Sequence, residues 1–177
     1  VPGKWSVAAR DAFNGVLLWQ RSISDWAWHE HGFRDGPVQL PRTLVAVGDR
    51  VYAPLGASAP VTALDAATGD ILRTYEQTDA AEEIIVYDGV LYVVTGTPAA
   101  EQSLLGPASR SPARTQTAKA IVAVRCDTGE LLWKWAKPER GNPLPLTLAV
   151  SAGHVFFAED DGVVCLEGRT GKELWFA

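Results

Sequence analysis

The chain has 177 residues, of which 47% are hydrophobic and 21% charged, with a formal net charge of −5. That length and composition describe a folded domain with a sizeable core, not a disordered segment. The acidic balance and the lack of a clustered basic stripe exclude an ordinary nucleic-acid binder, and no apolar run reaches the ~18 residues of a membrane-spanning helix. There is no methionine and no charged-then-apolar leader, so the sequence is expected to be a mature or excised piece with any targeting signal outside it. Its two cysteines, Cys126 and Cys165, are expected to be buried thiols instead of a disulfide, and they do not fix the redox compartment.

Short runs of Val, Ile, Leu, Tyr and Trp alternate with Gly, Asp and Thr, which describes β-hairpins and not helices. A first hairpin, at about 5–20, ends in ARDAFNGVLLW (Ala9 to Trp19). A second region, about 38–76, contains LVAVGDRVYAP (Leu44 to Pro54), turning at Gly48-Asp49, and then ALDAATGDILR (Ala63 to Arg73). A third, about 82–136, contains IIVYDGVLYVV (Ile84 to Val94), turning at Asp88-Gly89, and then AVRCDTGELLW (Ala123 to Trp133). The last, about 146–177, contains LAVSAGHVFFA (Leu148 to Ala158), turning at Ala152-Gly153, and then CLEGRTGKELW (Cys165 to Trp175).

The four closing segments align without gaps and define a repeat. Each carries a glycine at one register, Gly15, Gly69, Gly129 and Gly171, preceded by Asn or Thr. Such a glycine supplies the left-handed residue that reverses the chain. Asp11 and Asp65, like Glu167, stand where a carboxylate can accept turn amides; Arg125 breaks that pattern, with Asp127 close by as a substitute. Trp19, Trp133 and Trp175 follow at constant spacing and are expected to pack between repeats, with Arg73 as the exception.

The expected fold is therefore all-β: a β-propeller of four-stranded antiparallel blades, with strands A to D in each. The chain opens on a C–D half-blade at about 5–20, and three blades follow at about 38–76, 82–136 and 146–177. The Gly129 to Gly171 spacing is close to one propeller repeat, and the earlier spacings are longer by loop insertions. About three and a half blades are present, an arc of a larger propeller whose remaining blades are expected partners. Exposed end sheets should make the isolated piece poorly soluble or self-associating.

These segments resemble the pyrroloquinoline-quinone-like (PQQ-like) β-propeller repeat, with its A-x-D-x-x-T-G-x-x-x-W signature; ALDAATGDIL and RTGKELW match it best. The resemblance implies a bacterial repeat protein of quinoprotein-like fold and, for function, a non-catalytic binding or scaffold domain of a larger protein. The alternatives it implies are part of a PQQ- and calcium-dependent dehydrogenase, or a sensor or substrate-presenting module beside a separate catalytic domain such as a methyltransferase. The adjacent Cys-Cys of quinoprotein dehydrogenases does not occur in the sequence, and their Glu/Asn/Asp calcium set cannot be placed on this arc. No catalytic residue, metal site or cofactor is accordingly expected in this segment; PQQ and calcium would require the missing blades. The compartment implied is the periplasm or cell envelope.

In a propeller the D-to-A and B-to-C connections share one face, where ligands gather. WAWHEHGF (Trp26 to Phe33) falls in the first D-to-A connection and so reaches that face. His29 and His31 share a side of an extended segment, as do Trp26 and Trp28. The histidines read as a ligand or partner contact or as a structural polar loop, and zinc would need further ligands. The tryptophans read as a stacking surface or as cover for an inter-blade groove. Trp26, Trp28, His29, His31 and Arg34 are the ligand-binding candidates, Arg34 reading also as a loop salt-bridge partner; the ligand is a protein or a small molecule.

Overall fold

The computed structural model describes residues 5–23, 42–56, 58–96, 118–137, 139–144 and 146–177. β1 (Trp5–Arg10) and β2 (Leu17–Ile23) pair as a two-stranded sheet 1. β3 (Val45–Val47), β4 (Arg50–Pro54), β5 (Val61–Asp65) and β6 (Ile71–Thr74) form sheet 2. β7 (Ala81–Tyr87), β8 (Val90–Thr95), β9 (Ala120–Arg125) and β10 (Leu131–Trp135) form sheet 3. β11 (Ala149–Ser151), β12 (His154–Glu159), β13 (Gly162–Glu167) and β14 (Glu173–Phe176) form sheet 4. Every pairing is antiparallel between strands consecutive in sequence, which is the all-β blade architecture expected from the repeat. No helix among the described residues is long and apolar enough to cross a membrane.

Local chemistry explains the turns. Between β7 and β8, Asp88 and Gly89 both take left-handed backbone, φ 48° and 72°, and Ala152 and Gly153 repeat this at 48° and 76°. Consecutive left-handed residues match the twist of the flanking strands. In the turn after β5, Asp65 Oδ1 accepts the amides of Ala67 and Thr68, each at 2.9 Å. Asp11 does the same for Phe13 and Asn14. After β9, Arg125 stands at this position and instead bonds Glu130 across the turn.

Sheet 3 is covered on both faces. Leu91, Val93 and Val122 pack with Tyr52, Val61 and Tyr75 of sheet 2, while Tyr92, Val94 and Ile121 pack with Val155, Phe157 and Leu166 of sheet 4. Side chains alternate faces along a strand, so β8 and β9 read as nearly continuous apolar runs.

In all four sheets the register slips at the same place between the last two strands: at Ala9/Arg10, Ala63/Leu64, Leu131/Trp133 and Cys165/Leu166. Such a bulge re-aims the side chains beyond it. Trp19 Nε1 reaches the next sheet and donates to the Ala66 carbonyl at 2.9 Å, and Trp133 Nε1 donates to the Gly168 carbonyl at 2.8 Å. Both rings lie flat on a turn glycine: a Cβ at Gly69 would stand 2.6 Å from Trp19, and one at Gly171 would stand 2.6 Å from Trp133. Between sheets 2 and 3 the tryptophan position holds Arg73, and the equivalent carbonyl, that of Cys126, accepts the Tyr75 hydroxyl at 2.7 Å. Burial pushes the Tyr75 phenol up in pKa, so the hydroxyl stays a donor at neutral pH. An aromatic ring backs two of these groups: Tyr92 behind Trp133 at 6.0 Å, and Tyr52 behind Tyr75 at 6.3 Å.

Gly171 thus serves two demands, left-handed backbone at φ 67° and contact with a ring, while Gly15 at φ 73° has nothing within 4 Å of its Cβ position. In thermal or urea unfolding, Gly171→Ala is expected to cost about 1–3 kcal/mol more than Gly15→Ala, the overpacking share alone. Equal costs would mean that backbone strain, not the ring contact, holds the glycine.

Candidate functional site

The turns that follow β5, β9 and β13 lie at one end of the sheets, each bonded to the first hairpin turn of its own sheet. Ala66 N donates to Asp49 O, Cys126 N to Gly89 O and Gly168 N to Gly153 O. The long connections leave from the opposite end, and there the strand ends carry charge. Glu83, near the start of β7, has a buried carboxylate that accepts Arg42 at 2.7 Å and the Leu148 amide at 3.3 Å. Burial raises its pKa against the opposing pull of those two donors. Its neighbour Glu82 pairs with Lys119, whose amide donates to Asn142 Oδ1 at 2.8 Å.

The densest arrangement spans the junction of sheets 3 and 4. Arg140, in the connection between β10 and β11, bonds Glu159 at 3.0 Å and Glu173 at 2.9 and 3.1 Å. Lys137 joins Glu173 at 2.6 Å, and the Arg140 guanidinium lies 4.3 Å from the centre of the Phe176 ring. Glu159 is 1% exposed at its side chain, so its charge depends on Arg140. Three buried polar atoms of this junction have no partner among the described residues: Trp135 Nε1, Arg140 Nη2 and Glu159 Oε1. Two donors and an acceptor without partners are what an amide group or a water satisfies.

The Lys137 hydrogen bond, helped by Arg140 against the cost of burial, lowers the pKa of Glu173. A carboxylate depressed in the folded state contributes stability above its unfolded pKa and loses that contribution as pH falls through the folded value. Melting followed from neutral pH down to about pH 3 should therefore show a loss of stability below the ordinary carboxylate range, and Glu173→Gln should flatten it. Glu83 has the opposite sign, its contribution fading as pH rises through its raised pKa.

A second feature lies at the turn-bearing end. The junction that lacks the tryptophan, between sheets 2 and 3, opens a cleft of about 400 Å³ lined by Asp49, Arg50, Asp88, Arg125 and Asp127. The carboxylates at the loop-bearing end are matched by cations, whereas calcium asks for ~6–8 oxygen ligands. No group of three or more His, Cys, Asp or Glu among the described residues is placed to hold a metal.

Trp26, Trp28, His29, His31 and Arg34 lie outside the described residues. Gly69, Gly171, Trp19 and Trp133 meet at the sheet junctions, Gly129 lies against Arg73, and Asp11 and Asp65 cap their turns. Gly15 and Trp175 are at the two ends of the stack. Cys126 and Cys165 are free and buried, and burial raises both thiols. Arg140 and Glu159 stand in no motif of the sequence, and Glu173 lies within RTGKELW at a position the signature leaves free; the readable hint was a charged residue bordering an apolar strand, as in EEIIVY.

Four stacked antiparallel sheets joined by repeated tryptophan–glycine contacts define a β-propeller segment. The sequence profile of a family described as outer membrane protein assembly factor BamB matches residues 117–177. The structure is similar to BamB from Moraxella catarrhalis, with TM-score 0.55 and 19% identity over 97% of this chain and 42% of that one. It is similar to the quinohemoprotein alcohol dehydrogenase of Comamonas testosteroni, with TM-score 0.59 and 17% identity over 100% of this chain and 32% of that one. It is also similar to the computationally designed Ika4 protein, with TM-score 0.52 and 17% identity over 77% and 71% of the two chains. No curated protein sequence matches significantly. The chain is a β-propeller segment whose residues 117–177 match the assembly-factor family's profile.

Proposed function

We propose that the chain is a non-catalytic propeller segment that serves as a protein-binding scaffold of a larger bacterial protein at the cell envelope. The observation that carries this reading is the ion-paired cluster of Lys137, Arg140, Glu159 and Glu173 at the loop-bearing end of the junction of sheets 3 and 4. Lys137 and Glu173, both partly exposed, offer a partner a cation and a carboxylate there. The profile match to an assembly factor spans 117–177, which includes all of these residues.

Photo-crosslinking side chains placed at the exposed Ala118 and Glu139, at the loop-bearing end, are expected to capture protein in cells. Probes at Asp88 and Thr170, at the turn-bearing end, should capture much less. Capture from the turn-bearing end alone, or from neither, overturns the reading. Addition of PQQ and calcium is expected to give neither a bound-quinone absorption band nor dye reduction; both signals together would establish the dehydrogenase alternative.

A further inference from the structure

Glu83 joins three sheets at one point. Its strand, β7, lies against β3 of sheet 2 and β11 of sheet 4, so the first strands of all three sheets meet there. The carboxylate is 2% exposed at its side chain and reaches a segment on each flank. Oε1 accepts Arg42 Nη1 at 2.7 Å, three residues ahead of β3, and Oε2 accepts the Leu148 amide at 3.3 Å, one residue ahead of β11. The Leu146 amide bonds the same group. One buried side chain therefore sets where the chain enters two neighbouring sheets, at the end of the molecule that carries the long connections.

The two flanks answer differently to a proton. A carboxylate accepts at both oxygens, whereas a carboxylic acid donates from one of them. A guanidinium carries donors only and keeps its charge, so it would face the acid proton as donor against donor. The Leu148 amide is fixed in the main chain at a buried residue, while Arg42 is half-buried on a flexible stem and can turn away. The remaining carbonyl oxygen goes to the amide, because a buried N–H without an acceptor costs more than a guanidinium returned to water. We infer that Glu83 is a pH-sensitive latch on the loop-bearing end: ionised, it holds Arg42 and Leu148 together, and protonated, it keeps Leu148 and releases Arg42.

Among the described residues, the charge that faces Glu83 from sheet 2 is Arg42; its partner on β8 is Val94, and the segment before β11 meets it with main-chain amides. Glu82, beside it on β7, pairs with Lys119 just ahead of β9. Burial pushes the Glu83 carboxyl up in pKa against the pull of the Leu148 amide and Arg42, so proton uptake comes above the ordinary carboxylate value of ~4.3. The release is not a step of acid unfolding: a group with a raised folded pKa contributes its stability at low pH and loses it as pH rises through that value. The consequence for a partner rests on the function proposed above, since a face that binds protein gains a free guanidinium beside β3 once Glu83 is neutral.

NMR of the labelled full chain from about pH 7 down to about pH 4 tests the latch without any partner, so its outcome is separate from that of the crosslinking. The Arg42 Nε–H and Leu148 amide signals are expected to shift with one shared midpoint above the ordinary carboxylate value. Below it the Arg42 side chain should become mobile while the Leu148 amide stays protected from exchange. Glu83→Gln, neutral but still offering a carbonyl oxygen, is expected to show Arg42 free and Leu148 protected at every pH. Arg42→Gln removes the cation that opposes protonation and should raise the Leu148 midpoint by about one pH unit. An Arg42 side chain that stays ordered throughout overturns the inference, as does a Leu148 amide that loses protection before Arg42 is released, or a midpoint that survives Glu83→Gln. Should Glu83→Gln fail to fold, an Arg42→Gln midpoint that is unchanged or lower overturns it equally.

Discussion

Trp133→Ala is expected to lower the unfolding free energy by about 3–5 kcal/mol, the range for emptying a buried aromatic site. The loss has three sources in the structure. The ring leaves the face of Gly171, the Gly168 carbonyl loses its 2.8 Å donor, and Tyr92 loses its neighbour at 6.0 Å. Trp175→Ala, at the same repeat position but 45% exposed, should cost less than about 1 kcal/mol in dilute protein. Denaturant titration of the two variants is the measurement. Similar losses at both positions would show that the tryptophan acts within its own sheet and not on the next one. Combining Trp133→Ala with Gly171→Ala should cost less than the sum of the two, because the added methyl then meets no ring.

Arg140→Ala is the second large effect, expected at about 3–5 kcal/mol because it strands the buried charge of Glu159. Glu159 has 1% of its side chain exposed, and Glu173 loses one of its two cations in the same change. Replacing Arg140 and Glu159 together by leucine should recover most of the stability, since no charge is then left buried. Thermal melts of the three proteins at neutral pH decide the matter. If the double replacement is as damaging as the single one, the pair is held for its shape and not for its charge.

The repeat was legible because its determinants are local. Asp65, Thr68 and Gly69 fall within one turn, and the turn geometry asks for those residue types whatever surrounds them. The hairpins were legible for the same reason, since Asp88-Gly89 and Ala152-Gly153 interrupt strongly apolar runs. Arg73 showed the limit. It was only an exception to the tryptophan pattern, and Tyr75, two residues further along, supplies the missing donor to the next sheet. A pattern fixed to one register does not see a function moved along the strand. The polar junction was less legible still: Arg140 meets Glu159 and Glu173 from 19 and 33 residues away, and no spacing rule joins an inter-sheet connection to the strand ends it passes. The repeat register assigned the histidine-rich stretch WAWHEHGF to a D-to-A connection, and register carries no information about which neighbours a loop will meet.

The sheet-to-sheet contacts also bear on how the molecule comes apart. Each junction involves two adjacent sheets only, so the energetics are those of a linear array, with one term per sheet and one per junction. Sheet 3 is gripped from both sides, whereas sheet 1 has two strands and a single junction, held by Trp19 and Arg21. Amide exchange should therefore be graded along the chain, slowest in β8 and β9 and fastest in β1. Unfolding would start at the ends and move inward, and the order in which the sheets release would follow the strength of their junctions.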